Sequence, residues 1–230
     1  MLTVRVRGAG EPVGPNQMLA GVTQGMSDVI DLDFRPEIRP IGTLRLPESV
    51  VIGRAALRSI DALGRPWKAS GFSLGAYILG EYVMLDRPKN LKGIVLLADP
   101  LRARNQIAHG GVPTNRFGLA GERFISGVPV HSFAIPDDPI SSCPADNGLR
   151  LIANGVTGRR QPDPARWWDA FGTIEWAKKY LIGGRHNAYG SERMPGDSRT
   201  YVQAARDAWQ ECRNAGRDSE QAWQGSSAAR

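Results

Sequence analysis

The feature that most constrains the fold is the pentapeptide GFSLG at positions 71–75, which has Ser73 at its centre. Residues 67–70 precede it with the character of a short strand, and residues 76–85 follow it with apolar side chains at helical spacing. A G-x-S-x-G segment between a strand and a helix is typical of a sharp turn that exposes the serine hydroxyl beside the helix N-terminus. The sequence therefore predicts a strand, a strained turn and a helix, with Ser73 as a candidate nucleophile.

Two nearly continuous apolar runs predict that this turn belongs to a parallel sheet. Residues 91–98 end at Asp99-Pro100, and residues 128–135 end at the sequence PDDP at positions 136–139. Both runs are typical of buried parallel strands. Residues 2–7 alternate like a further strand, and residues 16–27 and 48–63 have helical periodicity with a loop between them. Since strands alternate with helices in this way, the pattern predicts an α/β fold with a parallel central sheet flanked by helices.

The chain beyond residue 145 is predicted to be mostly helical. Residues 165–181 form one expected helix and residues 198–214 a last one. We expect one domain over residues 1–223, with residues 145–182 as a helical insertion or linker, and a disordered tail over residues 224–230.

Four aromatic side chains of this helical segment are expected to lie in the core, because aromatic residues at helical spacing are more often core than ligand contacts. The alternative is a cap that touches a bound acyl chain. These four are Trp167, Trp168, Phe171 and Trp176.

A catalytic serine needs a histidine that takes its proton, and the sequence contains three histidines. His131 lies within an apolar strand, where a hydrogen-bonded structural histidine is expected, and His109 comes before the candidate acids. His186 lies in a glycine-flanked loop after both the serine and those acids, which is the chain order of α/β-hydrolases. His186 is therefore the predicted general base of an α/β-hydrolase, and a surface loop histidine is the alternative.

The third member of the triad is expected at the C-terminal end of a strand, because it must hold the imidazole from a rigid position. Asp137 and Asp138 both follow the strand that ends near residue 135. Asp138 is the predicted acid, and Asp137 is the alternative. Asp99 also ends a strand, but its Asp-Pro pair is well suited to a turn or cap, so we expect a structural role there.

The oxyanion of the tetrahedral intermediate needs backbone N–H donors. One is expected from Leu74, the residue after the nucleophile, and the other from a loop after an early strand. The available loop is the sequence GAG at positions 8–10, which makes Ala9 the candidate donor, with an ordinary turn as the alternative. This mechanism needs no metal ion and no organic cofactor.

Composition limits the partners and the compartment. The formal net charge of +6 favours an anionic partner such as a cell envelope. Basic residues are scattered and no nucleic-acid-binding signature is present, so no nucleic-acid partner is expected. The two cysteines, Cys143 and Cys212, exclude a disulfide framework, although they could pair with each other. The sequence contains no segment long enough to span a membrane, and its alternating start is unlike a signal peptide, so we expect synthesis in a cytoplasm.

With these residues, the sequence resembles the cutinase-like serine esterases, and most closely the lysin B proteins of mycobacteriophages. The resemblance covers roughly residues 2–190 and includes the GAGE sequence at positions 8–11, the GFSLG turn, Asp99-Pro100, the DPI sequence at positions 138–140, and His186 near Tyr189. Cutinases have an Asp-x-Val-Cys motif around the acid. Alignment of Asp138 with that motif places Ser141 where the cysteine and its disulfide belong.

The lysin B resemblance implies hydrolysis of the ester between mycolic acids and arabinogalactan in the mycobacterial envelope during host lysis. It also implies a protein that is made in the host cytoplasm and acts on the envelope after release. Two alternatives remain open: a general cutinase- or lipase-like carboxylesterase, and a phage envelope-binding module that keeps the fold without catalysis.

Overall fold

The computed structural model describes residues 1–209, and it confirms the predicted α/β-hydrolase architecture. The central sheet consists of five parallel strands: β1 (Leu2–Val6), β2 (Val29–Asp31), β3 (Trp67–Phe72), β4 (Leu91–Leu97) and β6 (Val130–Phe133). Their order across the sheet is β2-β1-β3-β4-β6. Two further short strands, β5 (Arg116–Phe117) and β7 (Cys143–Pro144), pair antiparallel outside this sheet.

Helices cover both faces of the sheet. They are α1 (Met18–Val22), α2 (Leu46–Asp61), α3 (Leu74–Asp86), α4 (Leu149–Thr157), α5 (Ala170–Leu181), a 3-10 helix (Arg185–Gly190), and α6 at residues 201–209. Alternate residues of β4 point to opposite faces: Ile94 and Leu96 pack with α2 and α3, whereas Val95 and Leu97 pack with α1 and α6. Because both faces are buried, the strand is continuously apolar from Ile94 to Leu97, as the sequence predicts, and only Lys92 near its start is exposed.

Three predicted elements have boundaries that need correction. The helix expected at 16–27 is limited to Met18–Val22, because Gly25 and Asp28 adopt left-handed backbone conformations that end it. The segment expected to be a loop contains the edge strand β2, which pairs with β1 only. The strand expected at 128–135 is limited to Val130–Phe133. These differences leave the predicted order of the elements around Ser73 unchanged.

The prediction that the aromatic residues of the helical segment lie in the core is wrong. Trp167, Trp168 and Phe171 are exposed and Trp176 is half-buried, and among the described residues α5 buries no side chain fully. Periodic spacing predicts which residues share a helix face, but it does not say whether another layer covers that face. Here α5 lies at the margin of the fold, against α4 and the 3-10 helix.

Part of the predicted organisation falls outside residues 1–209. This applies to Cys212, the end of the helix expected at 198–214, and the tail at 224–230, so the single domain over residues 1–223 stays a prediction. Cys143 is fully buried, and its pairing with Cys212, which the sequence leaves open, falls outside the described residues. In the part of the chain that the structure describes, no helix is long and apolar enough to cross a membrane.

Candidate active site

Ser73 lies on a strained turn between β3 and α3. Its backbone has φ 53° and ψ −116°, a conformation that non-glycine residues rarely adopt. Glycine is required on either side, because a Cβ on Gly71 would lie 2.7 Å from Ala76 Cα and one on Gly75 would clash with the Val6 carbonyl. This tight turn, which the two glycines permit, exposes the serine hydroxyl next to the N-terminus of α3.

The structure brings Ser73, His186 and Asp138 together in one chain of hydrogen bonds. His186 Nε2 lies 2.8 Å from Ser73 Oγ, and His186 Nδ1 lies 3.2 Å from each carboxylate oxygen of Asp138. An ionised carboxylate accepts hydrogen bonds only, so Nδ1 carries the proton and Nε2 is left to accept from the serine hydroxyl. The Phe72 ring stacks on the imidazole, with centroids 5.2 Å apart, and holds its orientation. This arrangement is able to remove the Ser73 proton.

Asp138 is fully buried, but donors surround its carboxylate. Ser141 Oγ and Tyr189 OH each donate to Asp138 Oδ2 at 2.8 Å, and the Ile140 N–H donates to Oδ1 at 3.0 Å. Burial opposes ionisation, but His186 and the donors outweigh it and hold the pKa of Asp138 below its usual range. The carboxylate is therefore able to stay charged beside the imidazole at neutral pH.

Tyr189 and Ser141 were not predicted to take part in the site. Tyr189 is fully buried and its hydroxyl also accepts from the Ile135 N–H at 3.2 Å, which fixes the end of the strand that presents Asp138. Burial and the neighbouring carboxylate raise the pKa of Tyr189 well above its usual value, so it remains a donor. A signal is present in the sequence, since Ser141 and Tyr189 each come three residues after a predicted triad member.

The alternative acids have other partners. Asp137 accepts from Lys179 Nζ at 2.9 Å and from Arg185 Nε at 2.7 Å. Asp99 is buried, accepts from the Leu101 N–H at 2.9 Å, and pairs with Arg123 at 3.0 Å. The geometry therefore places Asp138, not Asp137 or Asp99, against the imidazole.

The other two histidines line a separate cavity, which none of Ser73, Asp138 and His186 lines. His109 Nδ1 lies 2.6 Å from the Gly110 carbonyl, and its Nε2 accepts from the Ala134 N–H at 3.3 Å. Burial lowers the pKa of His109, so it is neutral in this position. His131 lies in β6, as expected for a structural histidine.

The two candidate oxyanion donors lie beside Ser73. Leu74 is the first residue of α3, where backbone N–H groups have no intrahelical acceptor. In the opposite loop, Gly8 N–H donates to Glu11 Oε2 at 2.7 Å and Gly10 N–H donates to the Pro36 carbonyl at 2.8 Å. Ala9 lies between them, lines the same pocket as Ser73 and Leu74, and keeps its place as the second candidate donor.

Glu11 holds this loop in place. Its Oε1 accepts from the Met18 N–H at 2.7 Å, while its Oε2 accepts from Gly8. The Arg7 guanidinium also stabilises the loop, because it donates a hydrogen bond to the Glu11 carbonyl at 2.9 Å. This bridging role of Glu11 was not predicted, and its position three residues after Gly8 is the signal for it in the sequence.

A cavity of about 380 Å³ opens above Ser73. Its walls are almost entirely apolar and come from the loop before α2, from the loops after β5 and β6, from α4 and from the end of α5. The lining residues include Ile38, Leu119, Ile140, Leu149, Ala153 and Tyr180. No group of His, Cys, Asp or Glu side chains within residues 1–209 has an arrangement that could hold a metal ion. The cavity is therefore suited to an apolar ligand group held next to the Ser73 hydroxyl.

No model of a known protein family matches the sequence, and no curated protein matches it. Solved structures do. The chain is similar to lysin B from Mycobacteriophage D29, with 18% identity, a TM-score of 0.54, and coverage of 91% of this chain and 98% of that one. A cutinase-like protein from Cryptococcus sp. matches at 15% identity with a TM-score of 0.46, covering 79% of this chain and 93% of that one. The likeness to lysin B supports the α/β-hydrolase fold.

Proposed function

We propose that this protein is a serine esterase that hydrolyses carboxylic esters with long apolar acyl chains. The observation that carries this proposal is the chain of hydrogen bonds from Ser73 through His186 to Asp138 at the floor of an apolar cavity. A hydroxyl needs this activation to attack an ester, and an apolar cavity beside it selects the acyl side of the substrate.

The geometry supports a two-step mechanism. His186 Nε2 accepts the Ser73 proton while Oγ attacks the ester carbonyl, and the N–H groups of Leu74 and Ala9 stabilise the developing oxyanion. The intermediate collapses to an acyl-enzyme as His186 returns the proton to the leaving alcohol. Water then attacks the acyl-enzyme with the same histidine as base, which releases the carboxylic acid and restores the serine. Asp138 remains ionised and stabilises the imidazolium in both steps.

The substrate proposal is the ester that joins mycolic acids to arabinogalactan in the mycobacterial envelope, cleaved during phage lysis. Three observations support it: the fold likeness to a mycobacteriophage lysin B, the apolar cavity above Ser73, and a net charge of +6 that suits an anionic envelope. In this proposal the protein is made in the host cytoplasm and reaches the envelope after release.

Two measurements test the two levels of the proposal separately. Labelling with an organophosphonate probe, followed by mass-spectrometric mapping, is expected to modify Ser73 in the wild type, because labelling requires an activated serine. A wild-type protein that is folded but not labelled contradicts the esterase proposal and favours a module without catalysis.

The substrate is tested with a mycolyl-arabinogalactan-peptidoglycan preparation, from which the wild type is expected to release mycolic acids and Ser73→Ala none. Chromatography of the lipid fraction measures the release. Hydrolysis of short p-nitrophenyl esters without any mycolate release would leave a general cutinase-like carboxylesterase.

A further inference from the structure

Helix α5 exposes an apolar surface that the acyl-pocket proposal does not use. Phe171, Ile174 and Leu181 follow one another at intervals of three and seven residues and so lie along one side of the helix, and Ile182 extends this side at the C-cap. All four are exposed, Phe171 to 76%. We call these four residues the exposed stripe. Burying such side chains in an apolar medium is favourable, so an unpartnered stripe of this kind indicates an interaction surface.

The stripe is continuous with the pocket of Ser73. Leu181 belongs to the stripe and also lines the pocket. Around the same mouth, Ile41, Ile152 and Val156 line the pocket and are exposed at their outer sides. The side of α5 next to Leu181 faces the pocket, where Ala177 and Tyr180 line it and the Tyr180 ring lies 5.4 Å from that of His186.

Aromatic and basic side chains flank the stripe. Trp167 and Trp168 precede α5 and are exposed. Tryptophan rings favour the boundary between an apolar layer and water, because they have a large apolar body and one polar N–H. Lys178 lies on the stripe side between Ile174 and Leu181, and its ammonium group pairs with Glu175 at 2.9 Å. Both partners are exposed, so this pair is weak; at a lipid surface the stem is able to follow the apolar layer while the ammonium group exchanges Glu175 for anionic headgroups.

We propose that the exposed stripe docks this protein on an anionic lipid surface and holds the pocket mouth against it. The inference rests on the proposed function in one respect: the surface delivers an ester-bearing acyl chain to Ser73. A second copy of this chain on the stripe would cover Leu181 and thus the pocket mouth, whereas a lipid layer supplies the chain that fills the pocket. An acyl chain then passes from one apolar medium into another with little exposure to water.

Two double variants test the stripe against a matched apolar surface. Phe171→Gln with Ile174→Gln removes stripe residues that do not line the pocket, with exposures of 76% and 52%. Leu63→Gln with Leu85→Gln removes side chains of 56% and 60% exposure near the C-terminal ends of α2 and α3, away from Ser73 at the start of α3.

Binding is measured by co-sedimentation with vesicles of phosphatidylglycerol and phosphatidylcholine in equal parts, with Ser73→Ala in every protein to prevent turnover. We expect the stripe variant to bind about tenfold or more weakly than the parent and the matched variant to bind like the parent. High salt is expected to weaken binding of the parent, because part of the attraction is between basic side chains and anionic headgroups. Equal losses in the two variants, or no vesicle binding by the parent, overturn the proposal.

Activity is measured with Ser73 present, on soluble p-nitrophenyl butyrate and on an emulsified long-chain ester. The stripe variant is expected to keep its rate on the soluble ester within about twofold and to lose about tenfold on the emulsion. Equal losses on both substrates overturn the docking role. If gel filtration shows a wild-type dimer that the stripe substitutions dissociate, the occupant is a second copy and the lipid proposal is wrong.

The outcomes separate this inference from the esterase proposal. Vesicle binding that depends on the stripe, together with a wild type that hydrolyses no ester, supports the docking surface and contradicts the proposed chemistry. Hydrolysis of the soluble ester without stripe-dependent binding supports the chemistry and contradicts the docking surface.

Discussion

The two sides of the pocket are built differently. On one side, the ends of β3 and β6 hold Ser73 and Asp138, and the Asp138 carboxylate is fully buried with donors from Ser141, Tyr189 and Ile140. On the other side, α5 buries none of its described residues fully and is joined to the first side by the ion pair of Lys179 with Asp137 at 2.9 Å. The first side is fixed by strand ends and buried polar bonds, and the second by partly exposed contacts.

Under the proposed function, this difference separates the chemical step from the capture of the acyl substrate. Catalytic groups must be held within a fraction of an ångström, which buried hydrogen bonds between rigid elements achieve. A surface that meets long, variable acyl chains does not need such precision, and local opening of a weakly packed helix costs little free energy. Substitutions on the first side should therefore change the chemical step, and substitutions on the second should change mainly the handling of insoluble substrate.

The largest effect is expected from Ser73→Ala. Loss of the hydroxyl removes the nucleophile, so kcat on p-nitrophenyl butyrate should fall by about 10⁴–10⁶-fold. The melting temperature should remain close to that of the wild type, because the side chain is only half-buried. Substantial esterase activity in the variant would contradict the assignment of the nucleophile.

His186→Ala is expected to be nearly as damaging on the same soluble ester, because members of a triad act as a unit. His109→Ala and His131→Ala serve as controls, since both residues line the separate cavity. Their kcat is expected to stay within about tenfold of the wild type, provided the proteins remain folded by circular dichroism. A silent His186→Ala would move the general base to another residue.

Asp138→Asn should reduce kcat by about 10⁴-fold, because an amide at this position favours the wrong imidazole tautomer. Asp137→Asn is the adjacent control and removes only the ion pairs with Lys179 and Arg185. We expect that change to cost less than about tenfold on the soluble ester. The reverse ranking would show that Asp137 is the acid.

This pair shows where sequence reasoning reaches its limit. Spacing and chain order predict an acid directly after the strand at 128–135, but neighbouring residues in a turn point in different directions. The partners of each side chain decide the choice: Asp138 turns inward to His186, and Asp137 turns toward α5. The order of strands and helices depends on local patterns and was predictable, whereas these directions depend on tertiary packing.

The aromatic residues show the same limit on a larger scale. The periodicity of Trp167, Trp168 and Phe171 predicts a helix over residues 165–181, but the helix begins at Ala170, so both tryptophans precede it. Burial of a helix face depends on which other helix or sheet packs against it, and those elements come from distant parts of the sequence. The turn at residues 8–10 was more accessible to prediction, because glycines directly after the first strand are a local signal.

A smaller effect is expected from Ser141→Ala, which removes one donor from the buried Asp138 carboxylate at 2.8 Å. The variant should lose about 1–3 kcal/mol in its free energy of unfolding at neutral pH and about tenfold in kcat. Urea denaturation measures the first and p-nitrophenyl butyrate hydrolysis the second. Ser142→Ala is the matched control, because Ser142 is equally buried and its Oγ has no hydrogen-bond partner among the described residues.

The loss of unfolding free energy in Ser141→Ala is expected to depend on pH, and it should be smaller in acid than at neutral pH. The donors lower the folded-state pKa of Asp138, so the stability they contribute is present above the unfolded pKa of about 4 and is lost as the pH falls through the folded pKa. Ser141→Ala raises that folded pKa. The difference from the wild type should therefore be constant at neutral pH and shrink below about pH 4. A deficit that is independent of pH, or equal in Ser142→Ala, would mean that Ser141 only fills space.

The smallest effect is expected from Lys179→Met, which cuts the ion pair between α5 and Asp137. Both partners are partly exposed, so the free energy of unfolding should change by no more than about 1 kcal/mol, and less at high salt. Lys178→Met is the control, because Lys178 pairs with Glu175 inside the same helix and leaves the link to β6 intact. Hydrogen exchange of the α5 amides should become faster in Lys179→Met and not in Lys178→Met, since only the first change removes the ion pair between the helix and the loop after β6.

The rate on p-nitrophenyl butyrate should stay within about twofold in both variants. If Lys179→Met slowed this soluble substrate as much as Ser141→Ala does, α5 would be part of the chemical site, and the division between a rigid catalytic side and an adaptable capture side would fail.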